Sequence, residues 1–498
     1  MIQSSDYASN ILVDGSRRST DRRSQRQLLK AFWIILFCLV IYELFLTDTA
    51  TLWSNFGAVF ITVAALIPSY LWCSGSALGM PIFPFFAITF IWTYALPLVS
   101  NHPKVMSYPP TSQFFAAITV SGFLLIGTAV WYQFVRTAPP PPRYYWSLGH
   151  HKGDRFFFIA LFGSTMFYLL TNGGLLVTLP VGIYAAIRSG LLGLAALSAF
   201  ILAYRLGSRE LTKKQAWLFI FLLIDNMIAS SMNFLLITAA STFLVSVVAF
   251  IIARKKIPII PIAIALVVLT VLQAGKGDMR NKYWFDPDTP KQVQVWEYPE
   301  IYAEWLNFSI NNLFEQNKSQ EPEQRASFLE RASVVQMLLL AQSKSPDPIP
   351  YLYGKTYEIL PQVVIPRILS STRVRSQEGT HMLSIHYGLQ TPEATQTTSI
   401  SWGLVAEAYG NFGLLGCAGL AIVLGAIYGQ FTRSSINAPT LSLQSLFTVL
   451  MLTFALQTEW TAGTFLAAFS QSSTVLLLIA VFFMKTYWSH SFPVVNRK

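Results

Sequence analysis

About twelve apolar stretches, each long enough to cross a bilayer, and one polar gap between the ninth and the tenth dictate what this chain can fold into. A spanning helix needs about 20 mostly apolar residues. Such stretches lie at 28–46, 56–72, 80–99, 114–134, 156–170, 191–206, 216–233, 235–252, 257–272, 403–428, 441–456 and 467–483. Inside lipid every backbone N–H and C=O must be satisfied within the spanning element, so these stretches predict helices. Only 12% of residues are charged, against about 25% for soluble domains. The expected fold is therefore all-α: a polytopic membrane bundle of about twelve spans with one large extracytoplasmic loop bearing amphipathic helices. Its expected segments are a cytoplasmic tail 1–27, an N-terminal bundle 28–274, the loop 275–402, C-terminal spans 403–487 and a second tail 488–498. Residues 173–205 are too long for one span and too short for two. Gly173-Gly174 and Pro180 there predict a broken or re-entrant piece.

Charge sets the orientation. The net charge is +11. Its basic residues cluster in the N-terminal tail (Arg17, Arg18, Arg22, Arg23, Arg26), after the fourth span (Arg136, Arg143, Lys152, Arg155), after the sixth (Arg205, Arg209, Lys213, Lys214), after the eighth (Arg254, Lys255, Lys256) and at the C-terminus. With twelve spans all of these fall on one side. Lys and Arg stay cytoplasmic, so both termini are expected inside a bacterial cytoplasmic membrane and 275–401 outside. Topology accounts for the basic character, and no nucleic-acid partner is expected. The first apolar run follows 27 polar residues and reads as a retained anchor, not a cleaved signal peptide.

Little in the membrane looks chemical. Cys38, Cys73 and Cys417 are scattered at span positions and read as small buried residues. Asp225, beside Asn226, is the clearest ionisable residue at depth, either functional or a helix–helix hydrogen bond. Glu43 and Glu459 lie near span ends and read as water-facing. The run Pro139-Pro140-Pro141-Pro142 is a stiff spacer between halves. No internal or inverted repeat of the kind found in secondary transporters is visible.

The gap is richer. Its aromatics (among them Trp284, Trp296, Trp305, Tyr298, Tyr302, Tyr351, Tyr353, Tyr357 and Tyr387) are too many for a chain unable to bury a core. One amphipathic helix is expected over 300–314, with Tyr302, Leu306, Ile310 and Leu313 on one side. A second is expected from Ser327, which has capping-box spacing to Glu330, with Phe328, Ala332, Val335 and Leu339 as its stripe. Both are expected to lie against the membrane face or the bundle. Lys344 to Pro350, with three prolines, ends the second helix, and Tyr353-Gly354-Lys355 is a turn.

Arginine carries the chemical signal. Arg280, Arg331, Arg367, Arg373 and Arg375 all lie in the segment where the positive-inside rule disfavours them. Guanidinium forks bind phosphate groups bidentately and stay charged. The bland reading pairs each with a nearby carboxylate, such as Arg331 with Glu330. The cluster from Arg367 to Arg375 has only Glu378 close in sequence, which favours an anion site. His381 and His386 follow; either is a structural histidine or a general base. Their spacing offers no third metal ligand, and Asp286-Pro-Asp288 sits in a Pro-interrupted turn, so no metal and no other cofactor is expected. Glu407 stands at the mouth of the tenth span, where a carboxylate orients a hydroxyl or holds an arginine. Gly413, Gly416 and Gly419 after it allow close helix packing.

The stretch from Arg331-Ala-Ser-Val-Val-Gln336-Met337 through Tyr353-Gly354-Lys355-Thr356-Tyr357 to Ile365-Pro366-Arg367 resembles bacterial O-antigen (polysaccharide repeat-unit) polymerases of the Wzy class. So does Glu407-Ala-Tyr409-Gly-Asn411-Phe412-Gly413. The overall plan of many spans and one large periplasmic loop is also similar to theirs. After Pro366-Arg367 the sequence departs from the family pattern of a Trp and a Lys-Pro pair, reading Ile368-Leu369-Ser370-Ser371-Thr372-Arg373. The resemblance implies a glycosyltransferase that uses an undecaprenyl-diphosphate-linked oligosaccharide as donor and joins repeat units into surface polysaccharide. On that reading Arg331 and Arg367 hold the pyrophosphate, Arg373, Arg375 and Arg280 assist, and His381 or Glu407 is the base. The implied partners are the lipid-linked oligosaccharide, membrane lipid and, as a further candidate, a chain-length regulator protein. Two other readings stay open: an O-antigen ligase, with the same donor and a different acceptor, and a polysaccharide transporter or flippase. The second needs a charged central cavity, for which the spans offer little beyond Asp225.

Overall fold

The computed structural model describes residues 16–47, 51–149, 153–176, 179, 181–254, 256–286, 292–314, 333–365, 374–396 and 398–488. Their helices are α1 Ser16–Phe45, α2 Leu52–Cys73, α3 Ile82–Val99, α4 Pro110–Val135, α5 Asp154–Asn172, α6 Val181–Gly207, α7 Lys213–Ser231, α8 Leu236–Arg254, α9 Ile259–Arg280, α10 Tyr298–Phe314, α11 Val335–Lys344, α12 Leu360–Val364, α13 Glu378–His386, α14 Leu404–Ser435, α15 Leu443–Ala455 and α16 Ala462–Phe483. Strands β1 Tyr144–Leu148 and β2 Met484–Trp488 pair antiparallel, Tyr144 opposite Trp488. Among the described residues ten helices are long and apolar enough to cross a membrane. This is a mostly helical, multi-pass membrane protein. The other two expected spans are helices that fall short of that measure. α7 carries Lys213, Lys214 and Asp225 in 19 residues. α15 has 13 residues, about 20 Å at 1.5 Å per residue against a core of about 30 Å.

The chain divides into two compact units, with the first boundary inside the proline run, between Pro139 and Pro140. The first unit holds α1–α4, α11 and α14 from Ala408 onward. Its core is aromatic: Phe83 stacks on Trp131 at 5.8 Å and Phe90 on Tyr94 at 4.9 Å. Pro97 has no N–H for the carbonyl one turn back. The helix answers with a π-turn at Ile91–Ala95, and the Thr93 carbonyl accepts the Val334 N–H at 2.9 Å, which anchors the start of α11. α14 breaks at Gly413, whose φ of +62° is left-handed. Of the glycines expected to allow close approach, Gly413 stands against the Tyr351 hydroxyl, where a Cβ would lie at 2.7 Å, and the closest approach to another helix falls later. A Cβ at Gly425 would stand 2.6 Å from the Gly127 carbonyl, whereas Gly419 faces open space. Glu43 does not face water: it is fully buried, and the Thr62 hydroxyl donates to its carboxyl at 2.5 Å. Offset packing of α1 against α2 carries it away from the span end.

The second unit holds β1, α5–α10, α12, α13, the first turn of α14, α15, α16 and β2. A buried Asp154–Arg205 ion pair joins the start of α5 to the end of α6, and Arg205 Nη2 also donates to the Gly149 carbonyl at 3.0 Å. Where the sequence predicts a break, residues 173–176 form a turn after α5 and α6 runs unbroken from Val181 to Gly207, while Pro180 lies outside the described residues. Asn226, not Asp225, makes the inter-helix hydrogen bonds, to Ser164 at 3.3 Å and Thr165 at 3.2 Å. α10 packs on α9 through Tyr298, Ile301, Trp305 and Ser309. Of the expected stripe, Leu306, Ile310 and Leu313 do not pack on the bundle but are exposed, and Tyr302 bonds Ser231 of α7. Burying Trp305 gives its indole N–H the Leu272 carbonyl at 2.7 Å, which decides between two apolar faces. Ser327, Phe328, Glu330 and Ala332 lie outside the described residues. The second amphipathic helix is seen from Val335, with Val335 and Leu339 buried as expected. It ends at Lys344, and the Tyr353-Gly354 turn has φ of +48° and +92°.

Candidate active site

The connector between α15 and α16, Leu456 to Thr461, gathers most of the chemistry of the second unit. Glu407, in the first turn of α14, is fully buried. Its Oε2 accepts the Ala462 N–H at 2.6 Å. That donor is one of the unpaired N–H groups at the start of α16, where the helix dipole also favours an anion. The buried Thr356 hydroxyl donates to the same carboxyl, and a Cβ at Gly379 would stand 3.4 Å from Oε1. One carboxylate thus ties α14, the short helix Lys355–Glu358 and α16 together, with Gly379 of α13 beside it. Glu407→Leu strands the Ala462 N–H and the Thr356 hydroxyl in an apolar interior, a loss of about 1–3 kcal/mol for each group. Glu407→Gln keeps an acceptor oxygen. Thermal unfolding in detergent is expected to show a large fall for the leucine variant and a small one for the glutamine variant.

α13 is stitched to the same connector. Thr380 Oγ1 lies 3.0 Å from Thr461 Oγ1, and Thr464 donates to the Ser376 carbonyl at 3.1 Å. Gly463 lets the backbones close, since a Cβ there would meet the Ser376 carbonyl at 3.0 Å. Behind α13, Trp402 Nε1 donates to Ser384 at 2.9 Å, and Trp402 packs on Tyr387 at 5.1 Å. These contacts fix His381, which is 5% exposed. Its Nδ1 faces Glu378 at 4.0 Å, and its Nε2 has no hydrogen-bond partner among the described residues. Burial pushes the imidazole below its ordinary pKa; Glu378 opposes this and the nearby Arg375 charge adds to it. A neutral ring with Nδ1–H toward the carboxylate presents a free lone pair at Nε2, the form a general base needs. Arg375 is exposed and makes no ion pair among the described residues.

Two residues not singled out for the site complete the charge pattern. Glu459, in the connector, accepts the Gly403 N–H on its carbonyl at 3.1 Å, and Ser401 bonds its side chain. Its side chain is exposed, with the protein around the carboxyl partly desolvating it. Burial raises its pKa, against the charges of Lys276 and Arg280, which bear on it from the end of α9. Arg280 is held by the Phe234 carbonyl, 2.8 Å from Nη2 and 3.1 Å from Nε, and lies 4.5 Å over the Trp284 ring. Lys276 and Glu459 carried no sequence signal, because charges at span ends are what topology already predicts.

Of the expected site residues, Arg375, His381 and Glu407 surround one connector, and Arg280 bears on its Glu459. Arg331, Arg367 and Arg373 lie outside the described residues. His386 packs edge-on against Tyr387 at 5.2 Å. No three His, Cys, Asp or Glu side chains gather as a metal-binding group among the described residues. The arrangement stands a buried imidazole Nε2 near guanidinium charge. Comparison of the chain with family models, curated proteins and solved structures gives no match.

Proposed function

We propose that this chain is a membrane glycosyltransferase that polymerises polyprenyl-diphosphate-linked oligosaccharide repeat units on the outer face of the bacterial cytoplasmic membrane. The observation that carries the reading is His381 Nε2, buried and, among the described residues, unpartnered, with the charge of Arg375 nearby. The resemblance of the segments ending at Arg367 and starting at Glu407 to Wzy-class polymerases supports the same chemistry. In the transfer, His381 Nε2 takes the acceptor hydroxyl proton as its oxygen bonds the sugar C1. The bond from C1 to the diphosphate oxygen breaks, and polyprenyl diphosphate leaves with the electron pair. Arg375, with Arg331, Arg367, Arg373 and Arg280, neutralises that leaving group, the electrostatic task that dominates such steps. Glu407 acts through position, by holding α14 and the Thr356 helix to α16, against which α13 is bonded through Thr464 and Ser376.

Twelve crossings fit this reading. Asn172, ending α5, bonds the Ala229 carbonyl near the end of α7, so if α6 crosses then α7 crosses as well. The Gly403–Glu459 bond asks the same of α14 and α15. An even count agrees with the reading that the basic loops and both termini are cytoplasmic, which the charge pattern supports.

Arg375→Ala is expected to cut chain elongation by about 10²-fold or more, with protein in the membrane at its normal level. A gel of surface polysaccharide reads this as loss of the long rungs. An unchanged ladder would count against the assignment.

A further inference from the structure

α10 carries three lengthwise rows at helical spacing. Ile301, Trp305, Ser309 and Asn312 pack on α9: Trp305 Nε1 donates to Leu272 O at 2.7 Å, Asn312 Nδ2 donates to Asp278 at 2.7 Å, and a Cβ at Gly275 would meet the Ser309 nitrogen at 2.7 Å. Glu300, Glu304, Asn307 and Asn311 form a polar row. Between these lies an apolar row, Leu306, Ile310 and Leu313, exposed by 42%, 49% and 41%. A helix with one face on protein, one apolar flank open and one polar flank matches the junction of three media.

The depth agrees. At about 1.5 Å per residue, Leu272 stands about 20 Å along α9 from Ile259 and Asp278 about 29 Å, against a hydrocarbon thickness of about 30 Å. The contacts of α10 therefore run from about 10 Å inside the apolar layer, at Trp305, to its edge, at Asn312, where Lys276 and Asp278 begin the polar zone. The open row also continues a lipid-facing surface, because Ile260, Ile264, Val267 and Val268 of the spanning α9 are exposed. Trp284, 41% exposed, and Trp296, 77% exposed, flank the two helices as interfacial aromatics do.

We propose that α10 lies in the membrane interface, with Leu306, Ile310 and Leu313 immersed among the acyl chains of the leaflet at the C-terminal end of α9. This surface is independent of the enzymatic reading and stands if that reading fails. The test uses the full chain with Cys38, Cys73 and Cys417 replaced, reconstituted in phosphatidylglycerol–phosphatidylethanolamine vesicles. Nitroxide labels are placed singly at 306, 310, 313, 307 and 311. Collisions with oxygen are expected to exceed those with a water-soluble nickel chelate at 306, 310 and 313, and the ratio is expected to reverse at 307 and 311. Equal chelate access on both rows overturns the proposal. So does protection of 306, 310 and 313 from both reagents, which means protein covers the row, a second copy included. If labels perturb folding, unlabelled Leu306→Cys and Asn307→Cys are treated with a membrane-impermeant maleimide. Rapid modification at 307 with little at 306 supports immersion, and equal modification overturns it.

Discussion

His381→Ala is expected to slow repeat-unit transfer by about 10²–10⁴-fold, the usual contribution of a positioned general base, without loss of folded protein. The second half of that statement separates a base from a structural histidine. A structural histidine uses its ring nitrogens and unfolds the site when they go. His381 Nε2 has no partner among the described residues, and a buried polar atom without one costs about 1–3 kcal/mol. His381→Leu is therefore expected to leave the unfolding temperature unchanged or higher while abolishing transfer. The pH profile adds a third readout. Burial lowers the imidazole pKa in the folded protein, so the neutral, proton-accepting ring persists to lower pH than in a free histidine. Activity is present above the folded pKa and is lost as pH falls through it. The acid limb of the rate profile thus lies below the ordinary imidazole value, and His381→Ala removes that limb. Stability follows the same sign: the protonated ring resists burial, so its stabilising share is lost on acidification.

The largest expected loss of stability comes from a residue far in sequence from that chemistry. Arg205 is wholly buried in the last turn of α6, paired with Asp154 at the start of α5 and bonded to the Gly149 carbonyl at 3.0 Å. Arg205→Leu leaves the Asp154 carboxylate buried without its counter-charge. Breaking one partner of a buried pair costs about 3–5 kcal/mol. Asp154→Asn in the same chain removes the orphaned charge, so the double variant is expected to regain most of the loss. Thermal unfolding of the four proteins in one detergent measures the cycle. An additive double variant would show that the pair contributes no coupling. Arg205→Lys restores charge but not the second fork, and is expected to fall between.

The spanning helices were legible because a lipid-exposed backbone has few alternatives to a helix, and the hydropathy pattern marks where each lies. α7 and α15 were the least legible: their Lys213, Lys214, Asp225 and short length dilute the pattern. On α10 periodicity found the helix and one apolar row, Tyr302, Leu306, Ile310 and Leu313, and did not show the row that packs. The need of the Trp305 indole for an acceptor, met by Leu272, settles the packed row. For the site, Arg375 and His381 in the polar gap and Glu407 at the mouth of the next span stood out as charged or titratable groups, and one connector gathers them. The links that do so left no trace in the sequence. Thr380 meets Thr461 across 81 residues, and Thr464 meets Ser376 across 88. Hydroxyls are too common for such pairs to be read before the chain is folded. Glu43 shows the converse: its place near a span end suggested water, and the offset of α1 against α2 put it on Thr62.

The most direct measurement places purified protein in vesicles with polyprenyl-diphosphate-linked repeat units and follows the lipid products by mass spectrometry. The expected result is free polyprenyl diphosphate appearing together with dimeric and longer lipid-linked chains, and neither product with the His381→Ala protein. Repeat units left intact on their carriers, or moved across the bilayer without bond cleavage, would contradict transfer chemistry at this connector.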